Sequence, residues 1–293
     1  MLTHTPYDGS SRPFTVGLKP IEDREWLEPD ACLEAHLREK QRLLSGAHGR
    51  VFQAEPDTDE AQEEVLNLVV QHLKSVHGEL YSFNEKGAIV GDLTIPLSGR
   101  PTLETAARLI QEDLVLMRSS PDGYRLAAAC LCFPSSWSLR EKFSQSMHAI
   151  HENVPGFNDG RMGAVVERLF ENLKVGQLVC RYNWSIYDDA DLHHPEPKQL
   201  APQVSDGDAS ALASLFMRVE RQTLRRLARS GDILFTIKIH HDPLAELERH
   251  PERGSLARTL SDQLGALNPD QLVYKGLTRH REILCQELQA LAQ

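Results

Sequence analysis

No stretch of this sequence is apolar for long enough to cross a membrane: the longest uninterrupted run, residues 126–133, has eight residues, where a spanning helix needs about 20. The opening Met1-Leu2-Thr3-His4 carries neither a basic stretch nor an apolar core, so it does not read as a secretory signal. A cytoplasmic protein without membrane contact is therefore expected. The five cysteines (Cys32, Cys130, Cys132, Cys180 and Cys285) form no C-x-x-C, no zinc spacing and no iron–sulfur ligand run. An odd number without a framework points to reduced thiols. Positive charge is also short, with 32 Lys and Arg against 42 Asp and Glu and a net charge of −10. That balance argues against nucleic-acid binding as the main task. G-x-G-x-x-G, a Walker loop and G-x-S-x-G are all missing, so the chain shows no site of its own for nicotinamide or flavin. No internal repeat is visible.

What is present is ordinary globular material: 41% apolar and 25% charged over 293 residues. That length allows one large domain or two small ones. Residues 1–20, with Pro6, Pro13 and Pro20, read as an extended arm. Apolar periodicity predicts helices over 31–44, 59–77, 103–117, 137–151 and 158–173, the last with Val165, Val166, Leu169, Phe170 and Leu173 turned inward. A C-terminal helix is expected over 270–291, and a small hairpin around 81–95. Strands are predicted at 124–133, 178–187, 216–227 and 233–241, the last two joined by Arg229-Ser230-Gly231-Asp232. The Asp-, His- and Pro-rich segment 188–208 reads as a surface loop. The class is α+β.

Two features stand out against this background. Strand 178–187 alternates, with Leu178, Cys180, Tyr182, Trp184 and Ile186 on one side and Arg181, Asn183 and Ser185 on the other. Strand 216–227 crowds Arg218, Glu220, Arg221, Arg225 and Arg226 together, beside a strongly apolar neighbour that places it inside the sheet. Charges there are costly unless paired or needed by a ligand. They form either an Arg218/Glu220/Arg221 ion network or, with Arg181, an anion-holding floor. Ala127, Ala128 and Ala129 leave room for a flat ligand or for close helix packing. The second feature is the pair His148 and His151, at i and i+3 on a helix. His151, at the helix end in apolar company, has the surroundings of an axial heme ligand, or of a capping or core histidine. C-x-x-C-H is absent, so a heme here is held without covalent attachment.

Several segments together resemble the α-subunit-like proteins of heme-dependent oxidative N-demethylase. They begin with Pro13-Phe14-Thr15-Val16-Gly17-Leu18, Trp26-Leu27-Glu28-Pro29-Asp30 and Gln111-Glu112-Asp113-Leu114. The likeness is sharpest in Cys132-Phe133-Pro134-Ser135-Ser136-Trp137, Glu141-Lys142 and Ile150-His151-Glu152-Asn153-Val154-Pro155. It continues through Arg181-Tyr182-Asn183-Trp184 and the run 218–227; Ala228 stands where the family often has proline. The resemblance implies a PAS-like antiparallel sheet with helices packed on it, a heme-binding domain over 21–245 and a helical extension over 246–293. It further implies heme b, a small secondary amine such as dimethylamine, O₂, and electrons from NADPH through a flavin and iron–sulfur reductase on another chain. Carried onto this chain, His151 becomes the iron ligand. Arg181, with Arg221 or Arg225, holds the propionates or polarises O₂, and Trp184 is placed beside the cofactor. Glu220 and Asn183 orient the amine. A PAS-like heme sensor of gas or redox state and a heme-free binding protein are the alternatives.

Overall fold

The computed structural model describes residues 2–202 and 211–293. The portion of the expected surface loop at 203–210 lies outside them.

The class is α+β, as expected. Strand β1 (Lys19–Pro20) is followed by helix α1 (Leu33–Gly46), short α2 (His48–Val51), strand β2 (Phe52–Ala54) and helix α3 (Asp59–Val76). Strands β3 (Ser82–Asn84), β4 (Gly87–Val90) and β5 (Leu93–Ile95) make a small separate sheet. Helix α4 (Thr102–Ala107) precedes the hairpin of β6 (Asp113–Ser120) and β7 (Gly123–Cys130). Two single helical turns, α5 (Leu139–Lys142) and α6 (Met147–Ile150), and helix α7 (Arg161–Asn172) lead into the long strands. These are β8 (Leu178–Tyr187), β9 (Phe216–Arg226) and β10 (Ile233–Pro243), followed by helices α8 (Arg253–Gly265), α9 (Pro269–Lys275) and α10 (Arg281–Leu291). Among the described residues no helix is long and apolar enough to cross a membrane.

The main sheet has seven strands in the order β1-β8-β9-β10-β6-β7-β2, antiparallel throughout. Directly opposed residues share a face. Trp184 lies opposite Val219, Tyr182 opposite Arg221 and Cys180 opposite Thr223, so these build one side, here the tryptophan face. Asn183 opposes Glu220, and Arg181 opposes Gln222, on the other side, the asparagine face. At β8 and β9 the tryptophan face is sealed by leucines of α8, α9 and α10, with Trp184, Ile186, Met217 and Val219 in one apolar cluster. Helices α1, α3 and α4 share a second cluster with β6, β7 and β10. On the asparagine face, the Arg226 guanidinium holds α7 through the Phe170 and Leu173 carbonyls. Ala127, Ala128 and Ala129 are fully buried, as close packing requires.

Two polar anchors tie segments distant in sequence. The Asp113 carboxylate, fully buried, accepts from the Cys132 and Phe133 amides at 2.9 and 2.7 Å and pairs with the equally buried Lys40 at 3.3 Å. The Gln111 side-chain oxygen accepts from the Asp30 amide at 3.0 Å and from Lys238 at 3.1 Å, while its nitrogen donates to Asp30 Oδ1 at 2.8 Å and His36 Nδ1 at 2.9 Å.

Four expectations need correction. The helix expected over 103–117 stops at Ala107, and Asp113–Ser120 is a central strand. Leu114, Val115, Leu116 and Met117 are buried on both faces of the sheet, and such a run carries no period to tell strand from helix. The helix expected over 137–151 is broken between α5 and α6, where Ser144 takes φ +62°; Ser138 and Ser146 provide the caps. The C-terminal helix is interrupted at Gly276, whose φ of +67° ends α9 in the left-handed region, and α8 was not anticipated. Val165 is 46% exposed and faces solvent.

Removing one partner of a fully buried pair strands the other charge. Asp113→Ala is expected to cost about 3–5 kcal/mol of unfolding free energy in urea, whereas removing Arg42, whose pair with Glu39 is exposed, leaves the midpoint unchanged. The His36 bond gives a pH signature. The Gln111 amide nitrogen can only donate, so His36 Nδ1 must keep its lone pair, and burial lowers this imidazole to about 4. Its ordinary value is about 6.5, so the unfolded chain takes up the proton first and stability present above that value is lost as pH falls towards 4. Urea unfolding of the wild type and His36→Asn at pH 7 and pH 4.5 should show the variant losing less, by up to about 3 kcal/mol.

Candidate functional site

His151 closes α6 as its C-cap residue. Its Nδ1 lies 2.9 Å from the Met147 carbonyl, which can only accept, so Nδ1 carries the proton and Nε2 the lone pair. Among the described residues nothing hydrogen-bonds Nε2. The ring stacks on Phe157, centroids 4.0 Å apart and planes 9° from parallel. Burial lowers this histidine to about 4, with the charges of Lys142 and Arg181 acting the same way. His151 is therefore neutral at pH 7, with a basic nitrogen free and its ring fixed. The Lys142 ammonium holds the same turn from outside by donating to the Ile150 carbonyl at 2.7 Å.

His148 differs on each count. Its Nδ1 is 2.8 Å from Asn158 Oδ1, its Nε2 is 2.9 Å from Glu167 Oε1, and its side chain is half exposed. The i, i+3 spacing does not bring both rings to one place, because α6 is a single turn that ends before His151.

Arg181, whose charge acts on His151, stands on the asparagine face. Its guanidinium donates to Gln222 Oε1 and to the Thr15 carbonyl, both at 3.2 Å, but its buried Nε has no partner. Burial lowers the pKa of this group, the neighbouring Glu220 charge opposing. Glu220 Oε2 accepts from Asn183 at 3.0 Å and from Gln222 at 2.9 Å. Lys275 of α9 lies on the Trp184 side: its Nζ is 4.5 Å from that ring and donates to the Trp184 carbonyl at 2.6 Å, and burial pushes it down to about 8. Glu220 is the carboxylate that opposes this shift. Val179 and Phe235 from the sheet and Ile150, Val154 and Met162 from the 139–172 segment are apolar, only partly buried and packed on the same cluster. A partly buried apolar surface beside Arg181 and one amide-held carboxylate suits a flat, largely apolar ligand with an anionic group.

Arg181, Asn183, Glu220 and His151 are thus brought to one side of the sheet. Arg221, Arg225 and Trp184 are not, because each is on the tryptophan face. Arg221 donates to the Trp26 carbonyl at 2.9 Å and to the Glu25 carbonyl, and lies 3.2 Å from Glu28. Arg225 stacks on the Trp26 ring at 4.6 Å and pairs with Asp23 at 3.2 Å. The Trp184 indole donates to Gln263 at 3.2 Å among the C-terminal helices. The Arg218/Glu220/Arg221 ion network does not form either. Arg218 is fully buried and donates to carbonyls of Phe133, Pro134, Asp191 and Leu192 and to the Ser135 hydroxyl. Sequence reasoning missed Phe157 and Gln222. Gln222 was recoverable, since it shares the parity of Glu220 along β9.

A family model described as “Haem-dependent oxidative N-demethylase, alpha subunit-like” matches residues 17–285.

Arg181 is a partly buried cation whose Nε lacks a partner, a cost that a ligand anion relieves. Arg181→Met is expected to leave the urea midpoint of the ligand-free protein unchanged or higher. A midpoint lowered by more than about 2 kcal/mol would make Arg181 a structural residue.

Proposed function

Because the chain belongs to the haem-dependent oxidative N-demethylase alpha subunit-like family, we propose that it binds heme b on the asparagine face and removes a methyl group from a small secondary amine. In this reading the overall change is dimethylamine + O₂ + NADPH + H⁺ → methylamine + formaldehyde + NADP⁺ + H₂O. The NADPH electrons arrive through a flavin and iron–sulfur reductase on another chain. The observation that carries the reading is the His151 tautomer: a neutral imidazole, locked by its Nδ1–H bond to Met147 and by Phe157, offering Nε2.

The residues present fit a heme. His151 Nε2 would hold the iron, and the unpartnered Arg181 Nε would meet a propionate. Apolar surface from the sheet and from residues 139–172 takes the macrocycle. When bound, the heme supplies the metal centre for O₂ chemistry. A secondary amine is cationic at neutral pH, and Glu220 is the carboxylate placed to receive it. Asn183 and Gln222 occupy Oε2 and orient the group, leaving Oε1 to accept an N–H of the amine. Such a bond positions the methyl group, and the carboxylate takes the proton when the neutral amine is required. The same reading treats the main sheet with residues 139–172 as a PAS-like core within 21–245, and 246–293 as an extension closing the opposite face.

Absorption spectra of the oxidised and dithionite-reduced protein, with and without dimethylamine, test this. A Soret band that shifts with amine is expected in the wild type. It should be lost or displaced in His151→Ala and unchanged in His148→Ala, while Glu220→Gln should keep the band but lose the amine shift. Retention of an unchanged band in His151→Ala, or a colourless wild type that refuses hemin, sinks the heme assignment. A heme band indifferent to every amine favours the sensor reading.

A further inference from the structure

The motif Trp26-Leu27-Glu28-Pro29-Asp30 contributes nothing to the asparagine face, yet Glu28 sits in an unusual polar group on the other side of the sheet. Its Oε2 is 2.8 Å from His4 Nε2 and 3.5 Å from His240 Nε2, and the three ligand-type atoms all lie within 4.8 Å of one another. His240, opposite Val219 on the tryptophan face, is 6% exposed, and its Nε2 has no hydrogen-bond partner. At 3.5 Å it is too far from the carboxylate for a good bond. A buried imidazole nitrogen aimed at a carboxylate and a second imidazole, without bonding either well, is a costly arrangement unless something sits between them.

We propose that His4, Glu28 and His240 form a binding site for a borderline divalent cation of the zinc type, separate from the heme face. Two imidazole nitrogens and one carboxylate oxygen are the donor set such ions take. Ligand bonds of about 2.0–2.2 Å place tetrahedral donors roughly 3.3–3.5 Å apart, close to the His240 separation. The ion replaces the proton now shared by His4 and Glu28, which moves to His4 Nδ1 or leaves to solvent. The two oxygens of Glu28 divide the work, since Oε1 pairs with Arg221 at 3.2 Å and Oε2 faces the histidines. Arg221 and Lys238 oppose a cation here, but both are already engaged, Lys238 with Asp30 at 2.8 Å. The His4 ring also lies 4.7 Å from that of Tyr182, which is 36% exposed, so solvent can supply a fourth ligand. The site joins three remote segments: the N-terminal arm, the approach to α1, and β10.

Untagged full-length protein, stripped with chelator, should take up one equivalent of Zn²⁺ by titration calorimetry. Co²⁺ in its place should develop visible d–d absorption of a low-symmetry site. His4→Ala and His240→Ala should each abolish both signals, and His151→Ala should keep them, which separates this site from heme loading. His4 lies on the arm, so its replacement leaves the sheet untouched and a loss there is not unfolding. Uptake retained by either variant, or no saturable uptake by the wild type, overturns the proposal.

Discussion

The register of β8, β9 and β10 is the constraint from which the rest of the molecule follows. Asn183 opposes Glu220, and Glu220 opposes Ile239, so the amide–carboxylate pair projects over a strip of apolar strand. A slip of one residue would exchange the faces entirely. Glu220 would then lie under the C-terminal leucines, and Arg221 would enter the space beside His151. The register is held because an error is costly on both sides: Trp184, Ile186, Met217 and Val219 are buried in one cluster, while Arg218 needs the carbonyls of Phe133 and Leu192.

Lysines that donate to main-chain oxygens in the interior recur through the structure. Lys40 bonds the Ala107 and Glu112 carbonyls, Lys198 that of Ile186, Lys238 that of Glu28 and Lys275 that of Trp184. Each brings its Nζ donors to inward-turned carbonyls, meeting acceptors that would otherwise lack them. One segment that carries the family resemblance is tied down in a similar way. Cys132-Phe133-Pro134-Ser135 lies between Asp113, which accepts its amides, and Arg218, which donates to its carbonyls. Those residues are therefore held by bonds within the fold, whatever else they touch.

The sequence was legible where one side chain pattern had one interpretation. β8 alternates apolar and polar residues, and its bounds and facing were readable for that reason. β9 has charges at Arg218, Glu220, Arg221 and Arg225, of both parities, so its pattern alone could not say that Arg221 and Arg225 leave the site. His151 could be nominated from its place before Pro155, but its tautomer depends on the Met147 carbonyl and its rigidity on Phe157. His4, Glu28 and His240 are spread over nearly the whole chain, and only the folded sheet assembles them. Lys275 was hidden by the reading of residues 270–291 as one helix, which would have turned it elsewhere.

The break after Lys275 has a consequence for how this protein can vary. Gly276 sits so close to the 198 backbone that a Cβ would lie 2.8 Å from the Lys198 carbonyl oxygen, and its φ of +67° already excludes most side chains. Lys275 and Lys198 reach carbonyls on the same strand, at Trp184 and Ile186. Mutational drift in the last helices is therefore tethered to drift in the 188–202 segment and in β8. Among relatives, residues 198, 275 and 276 should change together or not at all, although more than seventy positions separate them.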